Sequence, residues 1–166
     1  EYGLNRKLAK QILDSEYANL FEAIARETGV SPTVVAVALT ETLKALKREG
    51  INVEAVADEQ FRELFSLIDS GKTAKEAIPD IITWLSKHEG ATAKEAIESL
   101  GLAIISQKEL ENLINNLIEQ NKSLIKERGK GAFGPLMGLI MKKVRGRVKA
   151  ELVSEILKKR LAEFIT

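Results

Sequence analysis

The chain has 166 residues, of which 45% are apolar and 30% charged, and its formal net charge at pH 7 is only +1. This length and apolar content suit one large globular domain or two small ones. Because the chain has no cysteine and one histidine, disulfide frameworks, thiolate zinc sites and multi-histidine metal sites are excluded.

The termini and the apolar runs bear on location. No apolar run approaches the roughly 18 residues of a membrane span, and residues 1–10 lack a signal-peptide core. We therefore expect a soluble, cytoplasmic protein without a membrane partner. Residue 1 is Glu, which indicates a piece of a longer protein or a processed form.

Apolar residues recur at three- and four-residue spacing almost throughout, which predicts an all-α fold. Ser31-Pro32 is typical of a helix start, and Ser106 with Glu109 forms the pattern of a capping box. Pro79 should kink or divide the helix that contains it. We predict helices over residues 4–13, 16–28, 32–49, 58–70, 73–88, 92–99, 106–120, 122–129, 134–145 and 149–165, with glycines ending four of them: Gly50, Gly71, Gly90 and Gly101.

The hexapeptide TAKEAI occurs twice, at residues 73–78 and 92–97. In each copy a threonine is followed three residues later by a glutamate, the pattern of a capping box. We interpret the two copies as similar helix starts, not as a solenoid repeat.

Charge is divided along the chain. Lys, Arg, Asp and Glu sum to −5 over residues 1–105 and to +6 over residues 106–166. The sequence therefore predicts two helical modules, residues 1–105 and residues 106–166, and such segregation suggests a charged partner for the second.

Most of the positive charge lies in residues 126–149, KERGKGAFGPLMGLIMKKVRGRVK, here called the basic stretch. It holds eight Lys or Arg against one Glu, and five of the chain's eleven glycines. On a helix over residues 134–145, five apolar side chains share an arc of about 140° that should face the core. Gly138, Lys142 and Arg145 fall on the opposite side, where a glycine would let a phosphate backbone approach closely.

Glycine-rich turns flank this helix and carry further cations, which could bind anions together with backbone N–H groups. The predicted nucleic-acid-binding residues are Arg128, Lys130, Gly138, Lys142, Lys143, Arg145, Arg147 and Lys149. The alternative is a solvated charged face whose glycines serve helix packing. Lys158 and Lys159 are weaker candidates, because Glu155 precedes them by three and four residues.

Structured RNA suits this pattern better than a single strand. Aromatic residues make up only 5% of the chain, and Phe133 alone lies in the basic stretch. Binding of single strands depends on base stacking against aromatic rings, whereas structured RNA is recognised by its shape and phosphates.

Catalytic motifs are absent from the sequence. It contains no G-x-S-x-G elbow, Walker-type loop, H-E-x-x-H or cysteine nucleophile, and no metal-ligand spacing. His88 is interpreted as a surface residue at a helix end and Trp84 as a core or interface residue. Residues 1–105 are therefore predicted to be structural.

The segment GAFGPLMGLIMKKVRGRVKAELV resembles the C-terminal tail of the GatB/YqeY family, in its Leu-Met-Gly, its second Met and its Arg-Gly pair. VSPTVVAVALTETLKALKREGI, GKTAKEAIPDII and ESLGLAIIS are similar to the helical domain of GatE, a component of the archaeal glutamyl-tRNA(Gln) amidotransferase. Val148-Lys149 departs from the Asn or Asp with which relatives often cap the last helix.

The resemblance implies a parent enzyme that amidates glutamate on tRNA(Gln), using ATP and Mg in an absent N-terminal domain. An asparaginase-type partner subunit (GatD) would supply ammonia. Residues 1–105 would be a helical domain and residues 106–166 a YqeY-like tail domain, and these would hold tRNA without cofactor or chemistry. The resemblance puts tRNA contact at Gly129 to Gly131 and Gly134 to Arg147.

We accordingly expect a non-catalytic tRNA-binding region of an amidotransferase subunit. A helical protein-interaction module whose basic tail docks on an acidic protein is the main alternative. An unrecognised hydrolase is the second.

Overall fold

The computed structural model describes residues 1–166 and confirms the all-α class, since it contains helices and no strand. None of its helices combines the length and the apolar character that crossing a bilayer requires. The α-helices are α1 (Arg6–Leu13), α2 (Ala18–Glu27), α3 (Pro32–Val37), α4 (Leu43–Arg48), α5 (Asp58–Asp69), α6 (Ile78–Leu85), α7 (Ala93–Leu100), α8 (Gln107–Gln120), α9 (Lys122–Arg128), α10 (Phe133–Val144) and α11 (Ala150–Ile165).

The chain divides into two compact units, a helical unit of residues 1–103 and a tail unit of residues 104–166. Residues 104 and 105 are both isoleucine, so the division leaves the charges at −5 and +6. Each unit has its own cluster of buried apolar side chains.

In the helical unit, α5 packs against α2 and α7. Its polar side chains fix both neighbours. Arg62 donates to Glu27 at the end of α2, with Nε 3.0 Å from the carboxylate. Glu63 accepts the backbone N–H of Ala93 at 2.8 Å, which satisfies one of the unpaired donors at the start of α7. The largest fully buried side chains of this unit are Ile24, Leu39, Phe61, Leu64, Phe65, Ile81, Ile82 and Leu85.

The helix predicted over residues 32–49 is interrupted. A π-helical segment, Ala38–Thr42, joins α3 to α4. Ser31 precedes Pro32 at the helix start as predicted, but its side chain makes no capping hydrogen bond. The apolar spacing gives no signal for a π turn, because one extra residue in a turn leaves the neighbouring helical faces similar.

The two TAKEAI copies differ, so the prediction of two capping boxes was wrong for the first. A 3₁₀ turn, Lys75–Ala77, comes before α6, and neither segment has a side-chain cap. Thr73 is instead buried, and its hydroxyl donates to the Leu102 carbonyl oxygen at 2.7 Å. Pro79 lies in the first turn of α6, the position where a helix tolerates a missing N–H, so the predicted helix is divided just before it.

The second copy has the predicted capping box. The Glu95 N–H donates to Thr92 Oγ1 at 3.1 Å, and the Glu95 carboxylate accepts the Thr92 N–H at 2.7 Å. The four predicted helix-ending glycines, Gly50, Gly71, Gly90 and Gly101, all have positive φ, between 63° and 84°. Such left-handed backbone is the reason that glycine ends these segments.

In the tail unit, α10 packs against α8 and α11. Arg160 of α11 reaches Glu111 of α8 at 3.5 Å and Glu163 of its own helix at 3.2 Å, so it stays within the unit. The predicted capping box of α8 is present: Ser106 Oγ accepts the Glu109 N–H at 3.2 Å. The fully buried side chains here include Leu110, Ile114, Leu136, Ile140, Val153 and Leu157.

The Glu109 carboxylate should make the stability of the tail unit depend on pH. Hydrogen bonds from the Ser106 backbone and side chain, and then the charge of Arg147, lower the pKa of Glu109 below its ordinary value. A lowered folded-state pKa stabilises fully above the unfolded pKa of about 4.3, and this contribution is lost as pH falls through the folded pKa.

We therefore expect wild type to lose stability relative to Glu109→Gln as pH falls from about 5 to about 3, because glutamine can still cap α8 but cannot titrate. Hydrogen exchange of α8 amides in the whole chain measures this. Glu127→Gln, on α9, controls for the loss of one negative charge. A stability difference that stays constant over this pH range would contradict the prediction.

Candidate nucleic-acid interface

The basic stretch covers the end of α9, a 3₁₀ turn over Gly129–Ala132, α10 and the segment that leads to α11. The apolar face of α10 points into the core as predicted. Leu136, Ile140 and Val144 are buried, and Met137 and Met141 are partly buried. The opposite face of α10 is consequently turned to solvent.

That outer face carries the predicted cations. Gly138, Lys142, Lys143 and Arg145 are all exposed, and none of the three cations forms an ion pair with an acidic side chain. The sequence between Glu127 and Glu151 contains no acidic residue. Positive charge on this face is therefore not neutralised within the tail unit.

Packing does not account for the glycines of α10. A Cβ atom added to Gly134 or Gly138 would meet no atom within 4 Å. The two glycines are four residues apart, so they lie one turn from each other on the outer face. Leu139 beside them is 40% exposed, an unusual position for a large apolar side chain. This part of α10 is a smooth surface with the cations at its C-terminal end.

The turn before α10 adds two exposed cations, Arg128 and Lys130, neither of which is in an ion pair. Gly129 between them has φ +53°, a conformation that favours glycine. Backbone geometry therefore explains this glycine, unlike the two on the outer face of α10.

The turn after α10 separates the remaining two candidates. Arg147 is partly buried, its carbonyl oxygen accepts the Ile105 N–H at 3.0 Å, and its charge lowers the pKa of Glu109. It is thus engaged by its own unit. Lys149 is exposed at the start of α11, where it makes no side-chain cap, as expected from the Val148-Lys149 departure.

One cation outside the basic stretch was underestimated from the sequence. Lys158 of α11 makes no ion pair with Glu155, and its Nζ lies 5.7 Å from the centroid of the Phe133 ring, a cation–π contact. Only packing of α11 beside the start of α10 brings these two residues together. Spacing along the sequence carries no signal for it.

No group of three His, Asp or Glu side chains in residues 1–166 is placed to hold a metal ion. His88 lies just beyond α6, exposed, as interpreted from the sequence.

Comparison with known proteins gives the family. The GatB domain model matches residues 19–161, which is most of the chain. The chain belongs to the GatB domain family. This assignment agrees with the resemblance carried by the Leu-Met-Gly and Arg-Gly patterns.

Curated relatives are similar over nearly the whole chain. The E component of glutamyl-tRNA(Gln) amidotransferase from Methanosarcina acetivorans, GatE, is 37% identical over 99% of this chain and 27% of its own length. The same component from Methanococcus maripaludis and Methanospirillum hungatei is 38% and 39% identical over 98% and 99% of this chain, and over 26% of its own length in both. The GatB domain chain thus spans about a quarter of these relatives.

Gly138→Ala should stabilise the tail unit by up to about 1 kcal/mol, because alanine favours a helix over glycine and its methyl group meets nothing. A denaturation midpoint measured on the whole chain checks this. Gly129→Ala is the matched control and should destabilise, since its φ of +53° strains any residue with a Cβ. Destabilisation by Gly138→Ala would mean that this glycine serves packing after all.

Proposed function

We propose that this GatB domain chain is the tRNA-binding C-terminal region of a GatE-type component of glutamyl-tRNA(Gln) amidotransferase. It would hold and orient tRNA(Gln) while the parent enzyme converts Glu-tRNA(Gln) to Gln-tRNA(Gln). Chemistry, ATP and Mg belong to the N-terminal domain of the parent, and ammonia to an asparaginase-like partner subunit, GatD. The region itself takes no cofactor and works in the cytoplasm.

The observation that carries this proposal is the unneutralised outer face of α10 with its flanking turns. Exposed cations without acidic neighbours attract phosphates, because binding releases the counterions condensed on the nucleic acid. Arg128 and Lys130 before the helix, and Lys142, Lys143 and Arg145 at its C-terminal end, would each contact the RNA backbone.

Gly134 and Gly138 suit a bulky, rigid ligand between the two groups of cations. Without a Cβ, the helix backbone comes closer to the ligand, and no internal contact explains the glycines otherwise. Exposed Leu139 adds an apolar contact for a ribose or a base edge. A structured RNA offers phosphates and sugars together in such an arrangement.

Arg147 and Lys149 have different parts in this proposal. Because Arg147 is partly buried and interacts with Glu109, it would mainly hold the turn after α10 in shape. Lys149 is exposed and would contact phosphate directly. Phe133 is partly buried and lies under Lys158, which supports recognition of shape over base stacking.

The helical unit would not bind phosphate. Its net charge of −5 repels RNA, so its role is to connect and position the tail unit. Docking of the basic tail on an acidic protein is the competing function, and the salt dependence of tRNA binding distinguishes the two.

Replacing Lys142 and Arg145 with glutamine should weaken tRNA binding and lower the slope of log K against log salt by about two contacts. An electrophoretic mobility shift with tRNA at several salt concentrations measures both. The matched control, Lys72→Gln with Lys94→Gln, removes the same charge from exposed positions of the helical unit and should leave the slope unchanged. Equal binding by both double variants would exclude this face of α10.

Gly138→Leu should fold normally, because the position is open, yet bind tRNA more weakly since leucine blocks close approach of the backbone. Circular dichroism checks the fold, and the same mobility shift checks binding. Lys159→Leu on α11 is the control for an added exposed leucine. Normal tRNA binding by a folded Gly138→Leu variant would place the contact elsewhere.

A further inference from the structure

The helical unit has a cleft that the tRNA-binding proposal does not use. It has a volume of about 560 Å³ and lies between the end of α6 and α7. The residues that line it, here called the aromatic cleft, are Trp84, His88, Glu89, Gly90, Ala91, Glu95, Glu98 and Ser99.

The chain's only tryptophan and only histidine meet in this cleft. The rings of Trp84 and His88 are stacked, with centroids 3.8 Å apart and planes 10° from parallel. The Trp84 carbonyl oxygen lies 2.8 Å from His88 Nδ1, and a carbonyl can only accept, so Nδ1 carries a hydrogen. This bond fixes the imidazole on the indole, although His88 is exposed.

Three carboxylates surround the rings. Glu95 is tied into the capping box of α7 by the Thr92 N–H, and it still carries a negative charge. Glu89 and Glu98 form no ion pair or hydrogen bond, and both are exposed. The cleft therefore combines preorganised ring faces with negative charge that has no partner within the chain.

We propose that the aromatic cleft binds an arginine side chain of a partner protein. A guanidinium group is planar, stacks on aromatic faces and pairs with carboxylates through its N–H donors. A nucleic-acid base could also stack there, but its phosphates would be repelled by the three carboxylates and by the −5 charge of the unit. Charge complementarity thus selects a basic protein surface.

This inference is independent of the proposed tRNA function, since it concerns the helical unit only. Trp84 is the natural reporter, because no other tryptophan contributes to fluorescence. The probe is the peptide acetyl-Gly-Arg-Gly-Arg-Gly-amide, titrated into the whole chain at low ionic strength. We expect a saturable change in Trp84 fluorescence and matching shifts of the His88 ring protons, with no response to the peptide that has Glu in place of Arg.

Two variants test the position. Glu98→Gln should weaken peptide binding by about two- to fivefold, as expected for one exposed charge pair. Glu41→Gln removes an exposed carboxylate outside the cleft and should bind as wild type does. The absence of a saturable response, equal responses to both peptides, or equal weakening by both variants would overturn the proposal. A Trp84 response to tRNA in the variant lacking Lys142 and Arg145 would also overturn it.

Discussion

Burial of one face of α10 is the interaction on which the tail unit depends. Leu136, Ile140 and Val144 are all nearly inaccessible to solvent, and α8 and α11 pack around them. Each such side chain contributes on the order of 2 kcal/mol when it leaves water. Because side chains on a helix recur every 3.6 residues, fixing this face inward also fixes Gly138, Lys142 and Arg145 outward.

Electrostatic separation follows from the same packing. Arg160 finds Glu111 and Glu163 within the tail unit, and Lys122 pairs with Glu119, whereas the cations of α10 and of the turn before it stay unpaired on the surface. The acidic residues of the unit are thus used on α8 and α11 and do not cancel the charge of α10. A surface that binds anions results from where carboxylates are absent as much as from where cations lie.

The helical unit uses its polar residues differently. Glu63, Glu95 and Arg62 join helix ends or neighbouring helices, so much of its charge serves the fold. Surface pairs of this kind contribute little individually, and satisfying the backbone donors at the start of α7 is the larger effect. The aromatic cleft is the exception, because two of its three carboxylates serve no such contact.

Several features were determined by the sequence alone, through spacing and local chemistry. Three-and-four apolar spacing predicted the helices and the buried face of α10, since a helix side is set by period alone. Ser106 with Glu109 and Thr92 with Glu95 predicted helix starts, because a capping box closes within four residues. Trp84 and His88 are also four residues apart, so their stacking could have been inferred from the same spacing.

Tertiary structure decided what depends on neighbours distant in the sequence. Identical TAKEAI segments differ because Thr73 meets Leu102, 29 residues away, whereas Thr92 meets only its own helix. Whether Gly138 served packing could not be read from its spacing, since that depends on what stands opposite it. Arg147 and Lys158 likewise resemble ordinary surface cations in the sequence, but folding brings Arg147 near Glu109 and Lys158 over Phe133. Spacing settles which side of a helix a residue occupies, and only the packed chain settles what it meets there.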